Sequence, residues 1–569
     1  MLGFVSLLLD AQYIKNSVTL NSMGAYLVPA SVPQLLFSVF VLFVAYGLLK
    51  LFQLIASEIT SPIRDLPGPP SKSFLFGNIN EMKAEDAVLE KYVTKYGDTI
   101  KYQDMLGVRG QNHENFNLLS VYGLLRIFCC LVTTTRNQSL QYTTSSASSD
   151  KASVLLVEGN VHKQQRKILN PAFGTPQIRQ LTEIFVDKAI ELRDVWNSEI
   201  QKQNKSSGEG IVDAMSWLSR MTLDVIGRAG FDYDFQALSS EHSKNELNRA
   251  FETLYNATMS FDVIPAIRSL VPPLRFLPAP GDSRLKQAKD TVFRIGGALL
   301  ERSKKNAMAY GKSNTDRDIL SLLTRANMDP DVPTNQRMSD EDVLSQIPTF
   351  LFAGHETTST GTTWALYELS QHKDIQSKLR EELLSVPTDN PSMDELNELH
   401  YLDNVVRRLL AFEQAFQGPE RGLEARDQAS LECSCFGIEL IEKYRIVKGQ
   451  TFTIPIRAIN RAESTWGKDA IEFNPDRWDN LPETVFAIPG VWGHLMSFLG
   501  GPRSCIGYRF SLIEMKALLF TLIRAFEIDL AVPPDEIKGT MGLVRRPIVT
   551  SDLANPNQLP IIIRPVVQS

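Results

Sequence analysis

Residues 498–507 read Phe498-Leu499-Gly500-Gly501-Pro502-Arg503-Ser504-Cys505-Ile506-Gly507. One cysteine stands in a glycine-bounded loop, two residues after an arginine. It directly precedes a run, Tyr508 to Phe526, in which apolar residues recur at helical spacing. The N–H groups and positive dipole end of a helix start favour the thiolate form of Cys505. The segment therefore predicts a ligating or reactive thiolate, with a buried structural cysteine as the alternative.

Length and composition indicate a large globular protein. The chain has 569 residues, of which 43% are hydrophobic and 22% charged, so it can bury a large core. The net charge of −6 argues against a nucleic-acid partner, because nucleic-acid-binding domains are normally basic. The five cysteines are an odd, scattered set rather than a disulfide framework, which is typical of a reducing compartment.

The N-terminus carries a candidate membrane anchor. No charged residue occurs from 16 to 49, and roughly 20 apolar residues are enough to cross a bilayer core. We predict one membrane helix over about 27–49. A cleaved signal peptide fits less well, because the apolar stretch is too long and lies too far from Met1. Lys50 and Arg64 follow the span, so the positive-inside tendency puts the main domain in the cytosol.

The domain organisation follows from this anchor. We predict an N-terminal segment over 1–60 and one large domain over 61–569, with the proline-rich stretch 66–70 as a stiff connector. No internal repeat is apparent within the large domain.

A second informative stretch runs from Ser339 to Leu369. Ser339 and the three acidic residues after it predict a helix start, and the apolar run that follows predicts a buried helix. An acid and a hydroxyl inside such a helix are costly unless they have a role. Glu356 and Thr357 are therefore a candidate proton-delivery pair, and His355 beside them is expected to face away. A serine- and threonine-rich helix with a solvent-facing glutamate is the alternative.

A third segment is basic and helical. His162 and Arg166 are four residues apart, so they share one face of a helix. Taken alone, the segment is typical of an exposed basic helix.

Together these motifs resemble those of cytochrome P450, the haem-thiolate monooxygenases. The pattern F-x-x-G-x-R-x-C-x-G from Phe498 to Gly507 is similar to the haem-binding signature of that family, and A-G-x-E-T-T at 353–358 to its oxygen-activation motif. The segment from Phe473 to Trp478 resembles its meander. The resemblance implies a mostly α fold with a minor β portion, a cytochrome P450-like haem-thiolate fold behind one N-terminal transmembrane helix.

The resemblance also implies a role for each motif residue. Cys505 is the axial ligand of the iron of haem b, where a thiolate donates electron density strongly. Arg503, His162 and Arg166 hold the haem propionates, with His162 standing where the family often has tryptophan. Glu356 and Thr357 are the catalytic residues. The remaining cofactor-binding residues of the two motifs are Phe498, Gly501, Gly507, Ala353 and Gly354.

The implied activity is insertion of one oxygen atom from O2 into an apolar small-molecule substrate. No flavin or nicotinamide motif appears, so the electrons would come from a separate membrane-bound NADPH-dependent reductase. The implied location is the endoplasmic reticulum membrane, with a single membrane pass and a cytosolic catalytic domain. A haem-thiolate isomerase or dehydratase and a membrane-tethered non-enzymatic binding protein are the alternatives.

The sequence departs from the family in three places. Arg408 and Ala411 stand where the family has a Glu-x-x-Arg pair, so Arg408 would face Arg477 with no acid between them, which is expensive if buried. The stretches 110–150 and 412–438 are atypical and begin and end abruptly. A retained intron or frame-shifted translation would explain them, and genuine divergence is the alternative. A catalytically impaired, haem-poor product of a faulty gene model is therefore a further interpretation.

Overall fold

The computed structural model describes scattered residues between 37 and 81 and then 88–97, 99–103, 116–120, 153–203, 208–239, 245–259, 278–279, 281–310, 317–333, 337–412, 452–453, 455–539 and 544–566. The chain divides into two compact units, Met1–Ala56 and Ser57–Ser569. Within the predicted anchor over 27–49, the described residues 37–38, 41 and 44–49 are helical and exposed, and the others lie outside the described residues. Nowhere in the described part of the chain is a helix both long enough and apolar enough to cross a membrane.

The larger unit is mainly helical. Its helices in the first part of the chain are α1 (Val88–Tyr96), α2 (Gly159–Leu169), α3 (Thr175–Gln203), α4 (Ala214–Phe231), α5 (Glu246–Met259), α6 (Asp282–Tyr310) and α7 (Ile319–Met328). The helices that follow are α8 (Asp340–Gln371), α9 (Lys373–Leu384), α10 (Met393–Glu398), α11 (His400–Phe412), α12 (Ile456–Asn460), α13 (Glu463–Trp466) and α14 (Tyr508–Ala525).

The strands are short and form small sheets. They are β1 (Thr99–Gln103), β2 (Phe116–Ser120), β3 (Gly210–Asp213), β4 (Phe452–Thr453), β5 (Phe526–Leu530), β6 (Ile537–Gly539), β7 (Pro547–Val549) and β8 (Pro560–Pro565). β2 pairs antiparallel with β1 and parallel with β4, and β8 lies between β3 and β5, antiparallel to both. β6 and β7 pair antiparallel, with Gly539 opposite Pro547. The prediction of a mostly α fold with a minor β portion is confirmed.

Helix α8 is the buried axis of the larger unit. It begins where the sequence predicts, because Ser339 and Asp342 form a capping box that satisfies the first free N–H groups. Its side chains are buried on most sides, including Val343, Ile347 and Leu351 at helical spacing. It packs against α4, α6 and α14 in one continuous apolar core, so polar groups in its middle are removed from bulk water.

Helix α14 fixes the segment that follows the cysteine loop. It begins directly after Gly507 and is buried almost throughout. Phe510 packs edge-on against Phe185 of α3, with the ring centroids 4.6 Å apart. The loop that contains Cys505 is therefore joined to one of the most buried helices in the protein.

The two atypical stretches are only partly described. The first, 110–150, contributes the backbone of β2, and its remainder lies outside the described residues. The second, 412–438, lies outside them apart from the last residue of α11.

Candidate functional site

The loop around Cys505 is tied together by its own backbone. The Cys505 N–H donates to the carbonyl of Phe498 over 2.9 Å, and the Ser504 N–H donates to that of Gly501 over 3.0 Å. Gly501 has a φ of 70°, a conformation that favours glycine. The Cys505 side chain is an exposed thiol that forms no disulfide within the described part of the chain. The loop therefore presents one thiol outward just before the start of α14.

Close backbone contacts hold this loop in place. A Cβ on Gly500 would lie 2.0 Å from the carbonyl oxygen of Pro489, so only glycine fits there. The Val491 N–H donates to the carbonyl of Leu499 over 2.9 Å. Leu499 itself has a φ of 59° and a ψ of −174°, a strained conformation for a residue with a side chain. The loop is thus a fixed structure rather than a loose connection.

Two of the predicted propionate residues are arginines held at the cysteine loop. Arg166 of α2 donates from Nη1 to the Ser504 carbonyl over 3.0 Å. Arg503 donates from Nη2 to the Val157 carbonyl over 2.6 Å. Burial lowers the pKa of both guanidinium groups, and the charge of the Cys505 sulfur partly opposes that shift at Arg166. Arg166 therefore interacts electrostatically with the thiol, and both cations are half-buried beside its loop, a setting that suits an anionic partner.

His162 belongs to the same helix as Arg166. It lies one turn before Arg166 on α2 and is 6% exposed. A fully exposed basic helix, the alternative for this segment, is therefore wrong for the face that carries these two residues.

The middle of α8 has a partly exposed side, which we call the opening. Ala353, Gly354 and Thr357 are half-buried, as is Phe352, whereas His355, Glu356 and Thr358 are buried. The Thr357 hydroxyl donates to the Ala353 carbonyl over 2.6 Å. A Cβ on Gly354 would lie 2.8 Å from Cδ1 of Ile226, so this glycine lets α4 pack closely on α8. Thr357 thus carries a hydroxyl on the partly exposed side of an otherwise buried helix.

Glu356 faces the protein interior and not solvent. It is 1% exposed, so the solvent-facing alternative is wrong. Its carboxylate binds the Arg546 guanidinium through two contacts, Nε to Oε1 at 2.5 Å and Nη2 to Oε2 at 2.6 Å. Sequence reasoning missed Arg546, because 190 positions separate the partners and only the adjacent pair Arg545-Arg546 stands out as a local signal.

His355 faces away from the opening, as expected. Its Nε2 lies 2.7 Å from the Ser219 hydroxyl of α4, and its ring packs edge-on against Phe251 of α5. Burial lowers the pKa of His355 to about 4, although the charge of Glu356 acts in the opposite direction. His355 is therefore a neutral group next to Glu356.

The elements next to the cysteine loop contact the middle of α8 at two points. The hydroxyls of Thr358 on α8 and Ser511 on α14 are 3.0 Å apart. Phe173, which precedes α3, packs edge-on against Phe350 of α8 with ring centroids 5.5 Å apart. The predicted thiol and the predicted acid–hydroxyl pair thus belong to one region of the protein.

The residues of this region fit a haem. A Cβ on Gly507 would meet Phe173 at 3.8 Å, an ordinary contact, so packing within the protein does not require glycine there. A flat group lying close over the loop would require it. The donor set also agrees, since an exposed thiol is flanked by Arg166 and Arg503, two cations that can pair with carboxylates.

Sequence reasoning also missed Glu514, one turn into the buried part of α14. This carboxyl is fully buried, and among the described residues neither oxygen makes a hydrogen bond of good geometry, although the Thr358 hydroxyl lies nearby. Burial raises the pKa of Glu514 well above its usual value, and the Thr358 hydroxyl offsets only part of that shift. A lone glutamate within the apolar run from 508 to 526 was the available signal.

The region behind the loop requires a correction. Arg408 is 1% exposed and donates from Nη2 to the Ala470 carbonyl over 2.9 Å. Burial, together with the charges of Arg477 and Arg461, lowers the pKa of Arg408 to about 9. The expectation that no acid stands nearby is wrong, because Oδ1 of Asp469 lies 3.3 Å from Nη2 of Arg477. The two arginines interact as predicted, but an acid shares their environment.

Comparison with known proteins gives one consistent result. The sequence profile of the family described as Cytochrome P450 matches residues 67–550. Cytochrome P450 monooxygenase 205 of Postia placenta is 43% identical, over 94% of this chain and 98% of its own length. Cytochrome P450 monooxygenase 128 of the same fungus is 42% identical, over 91% of this chain and 96% of its own length. Cytochrome P450 monooxygenase claU of Ampulloclitocybe clavipes is 30% identical, over 92% of this chain and 97% of its own length.

Proposed function

Because the chain belongs to the cytochrome P450 family, we propose that it inserts one oxygen atom from O2 into an apolar organic substrate. The haem would be haem b, with Cys505 as its axial ligand, and a separate reductase would supply the electrons. The observation that carries this proposal is the Cys505 loop, which offers one exposed thiol beside two half-buried arginines.

Different residues of the chain would bind different parts of the haem. When bound, the haem supplies the oxidising chemistry. Arg166, Arg503 and His162 would hold its propionates. Gly507 and Gly501 would allow its close approach to the loop, and Phe498 would pack beside it.

Proton control would belong to α8. Glu356 is a buried carboxylate and Thr357 a half-buried hydroxyl one residue later, an order that suits passage of protons from the interior toward the opening beside Ala353 and Gly354. The haem-thiolate isomerase alternative needs no such pair.

The cellular setting is also a proposal. The uncharged stretch from 16 to 49 supports a single membrane helix over about 27–49 and a cytosolic catalytic domain at the endoplasmic reticulum. The electron donor would be an NADPH-dependent reductase in the same membrane. Expression with and without residues 1–56, followed by membrane fractionation, tests the anchor: equal release of both forms into the soluble fraction would contradict it.

A carbon monoxide difference spectrum of the reduced full-length protein tests the central assignment. We expect the absorption typical of thiolate-bound haem in the unaltered protein and its loss in Cys505→Ser. Cys433→Ser is the matched control, since it makes the same chemical change outside the loop and should keep the spectrum. Survival of the spectrum in Cys505→Ser would overturn Cys505 as the ligand.

One observation favours a second candidate, a catalytically impaired member of the family. Arg408 is a buried cation whose pKa is lowered by burial and by two other arginines, where the family has an acid. A poorly folded cofactor site would then limit activity. The haem content of the purified protein distinguishes the two candidates.

A further inference from the structure

The contact between Glu356 and Arg546 is the closest charged contact at the proposed site. Both carboxylate oxygens are engaged by one guanidinium, and Oε1 also accepts a longer hydrogen bond from Thr360 at 3.4 Å. The Glu356 side chain is 1% exposed and that of Arg546 19%. Bidentate arginine–carboxylate pairs are strong and fix the orientation of the carboxylate, particularly where they are buried away from water.

Arg546 supplies the positive charge that balances Glu356. The other titratable group beside the carboxylate is His355, whose Nδ1 lies 3.9 Å from Oε2 and which is neutral because burial lowers its pKa to about 4. Across α14, Glu514 is buried and neutral as well, since its pKa is raised. Within the described part of the chain, Arg546 is thus the one full cation in salt-bridge contact with Glu356.

Helices α4 and α5 present neutral groups to His355, the neighbour of Glu356. α4 presents the Ser219 hydroxyl to His355, while its buried acid, Asp224, accepts hydrogen bonds from the N–H groups of Ala237 and Leu238. α5 presents the apolar ring of Phe251 to His355.

The segment that carries Arg546 is itself anchored on α8. The indole N–H of Trp364 donates to the Arg545 carbonyl over 2.8 Å, and the Arg545 guanidinium lies 4.5 Å above the Trp364 ring. A Cβ on Gly539 would lie 2.2 Å from Nε of Arg545, so β6 fits tightly against this arginine. Arg546 is then followed by Pro547, the first residue of β7. Two contacts about two helical turns apart therefore fix the β6–β7 hairpin along α8.

We propose that Arg546 is a positioning residue for Glu356: it holds the carboxylate in one orientation, and thereby ties proton delivery at α8 to the β6–β7 hairpin. This inference rests on the proposed function of Glu356. Because the guanidinium engages both carboxylate oxygens, transfer of a proton toward Thr357 requires at least one of these contacts to open. The hairpin that carries Arg546 then determines how the carboxylate is oriented.

The experiment uses the haem-loaded full-length protein with its reductase and an apolar substrate that is turned over. Product formed per NADPH is measured for Arg546→Gln, Arg546→Lys, Glu356→Gln and the double variant Arg546→Gln/Glu356→Gln. Unfolding in urea is measured on the same set, so that a double-mutant cycle reports the coupling of the two side chains without reference to turnover. Arg564→Gln is the matched control, because it removes an arginine that pairs with Glu209 and Asp529 away from α8.

We expect Arg546→Gln to lower product per NADPH about tenfold, less than the roughly 100-fold that a misplaced reacting group can cost. Arg546→Lys should restore most of the product, and Arg546→Gln should add little in the Glu356→Gln background. If Glu356→Gln lowers product while Arg546→Gln leaves it unchanged, the inference is overturned and the proposed role of Glu356 stands. If neither variant alters product per NADPH, the inference and the proposed role of Glu356 are both overturned.

Discussion

Thr357 is the hydroxyl that stands at the opening of α8. Its hydroxyl donates to the Ala353 carbonyl over 2.6 Å, which fixes the side chain. The hydroxyl oxygen can still accept a hydrogen bond from a group in the opening. We expect Thr357→Ala to lower product per NADPH by up to about 100-fold, the lower end of what a positioned proton-transfer group contributes. Hydrogen peroxide released per NADPH should rise, and haem content should stay constant.

Thr363 provides the control for this residue. It lies on the same helix, and its hydroxyl likewise donates to a carbonyl of its own helix, that of Ser359, over 2.7 Å. Because Thr363 is fully buried and away from the opening, Thr363→Ala should leave the peroxide yield unchanged. Equal yields from the two variants would remove Thr357 from proton delivery.

Glu514 makes the stability of the protein depend on pH. Its folded pKa is raised above the ordinary value of 4.5, so the folded state holds a proton that the unfolded state has lost at higher pH. The contribution of this group is therefore intact below about pH 4.5 and falls as pH rises, by about 1.4 kcal/mol per pH unit while the folded carboxyl stays protonated. We expect Glu514→Gln to raise the free energy of unfolding at pH 7 and to flatten its fall between pH 5 and 8.

Glu381→Gln is the comparison for Glu514, since Glu381 is exposed on the surface of α9. Urea unfolding of both variants across this pH range decides the matter. A parallel fall for Glu514→Gln and the unaltered protein would show that this carboxyl does not hold its proton in the folded state.

At the residue scale, the sequence indicates which groups carry chemistry but not what they contact. Cys505, Arg166 and Thr357 are recognisable from short motifs, because their spacing along the chain is local. Arg546 is not, because its partner Glu356 lies 190 positions away and the contact exists only once the hairpin has packed on α8. The neutral state of Glu514 depends in the same way on helices brought together by folding.

At the scale of elements, the beginning of α8 is set by its capping box. Ser339 accepts from the Asp342 N–H over 3.1 Å, and the Asp342 carboxylate accepts from the Ser339 N–H over 3.1 Å. Ser339→Ala removes one half of this exchange and should cost about 1 kcal/mol locally. We expect the amides of the first turn to exchange with deuterium about fivefold faster, which mass spectrometry of the corresponding peptide measures.

Ser345 offers a control on the same helix. Its hydroxyl donates to the Asp342 carbonyl over 2.7 Å and caps no free N–H group. Ser345→Ala should therefore leave the exchange of the first turn unaltered. First-turn protection that survives Ser339→Ala would mean that packing, and not the capping box, holds this end of α8.

Elements with strong local signals are the ones that the sequence predicts well. α8 and α14 have capping or loop signals at their starts and long apolar runs after them, and both occur where expected. After Ser392, by contrast, the chain forms two helices, α10 and α11, because Leu399 adopts an extended conformation between them. That break depends on tertiary contacts, including the bonds from the N–H groups of Tyr401 and Leu402 to Glu382 of α9.

At the scale of the whole molecule, the departure at α11 bears on how well the protein assembles. Arg408 and Ala411 are both buried on this helix, at the positions where the family has a glutamate and an arginine. The charges of Asp469 and Glu368 support Arg408, but burial and the charges of Arg477 and Arg461 outweigh them. A poorly compensated buried charge costs several kcal/mol, a large part of the roughly 5–15 kcal/mol by which domains are stable.

We therefore expect the sequence as it stands to incorporate haem poorly, and the double change Arg408→Glu with Ala411→Arg to raise haem bound per polypeptide. Glutamate at 408 would give Arg477 a buried acid in place of a like charge, and arginine at 411 would pair with that glutamate one turn along α11. Haem content and the reduced carbon monoxide spectrum measure the outcome. Arg408→Met is the matched control, because it removes the cation at similar volume without supplying an acid.

The comparison of these variants identifies which property of position 408 matters. A gain in haem content for the double change but not for Arg408→Met means that an acid at position 408 is needed to position Arg477. An equal gain for both means that the buried cation alone is harmful. If the gene model is at fault, the transcript should encode a glutamate at or near 408 and an arginine three residues later. Full haem loading of the unaltered protein, with no gain from any of these changes, would contradict the prediction. It would show that Asp469 and the other groups around Arg477 stabilise this arginine as the Glu-x-x-Arg pair does elsewhere in the family.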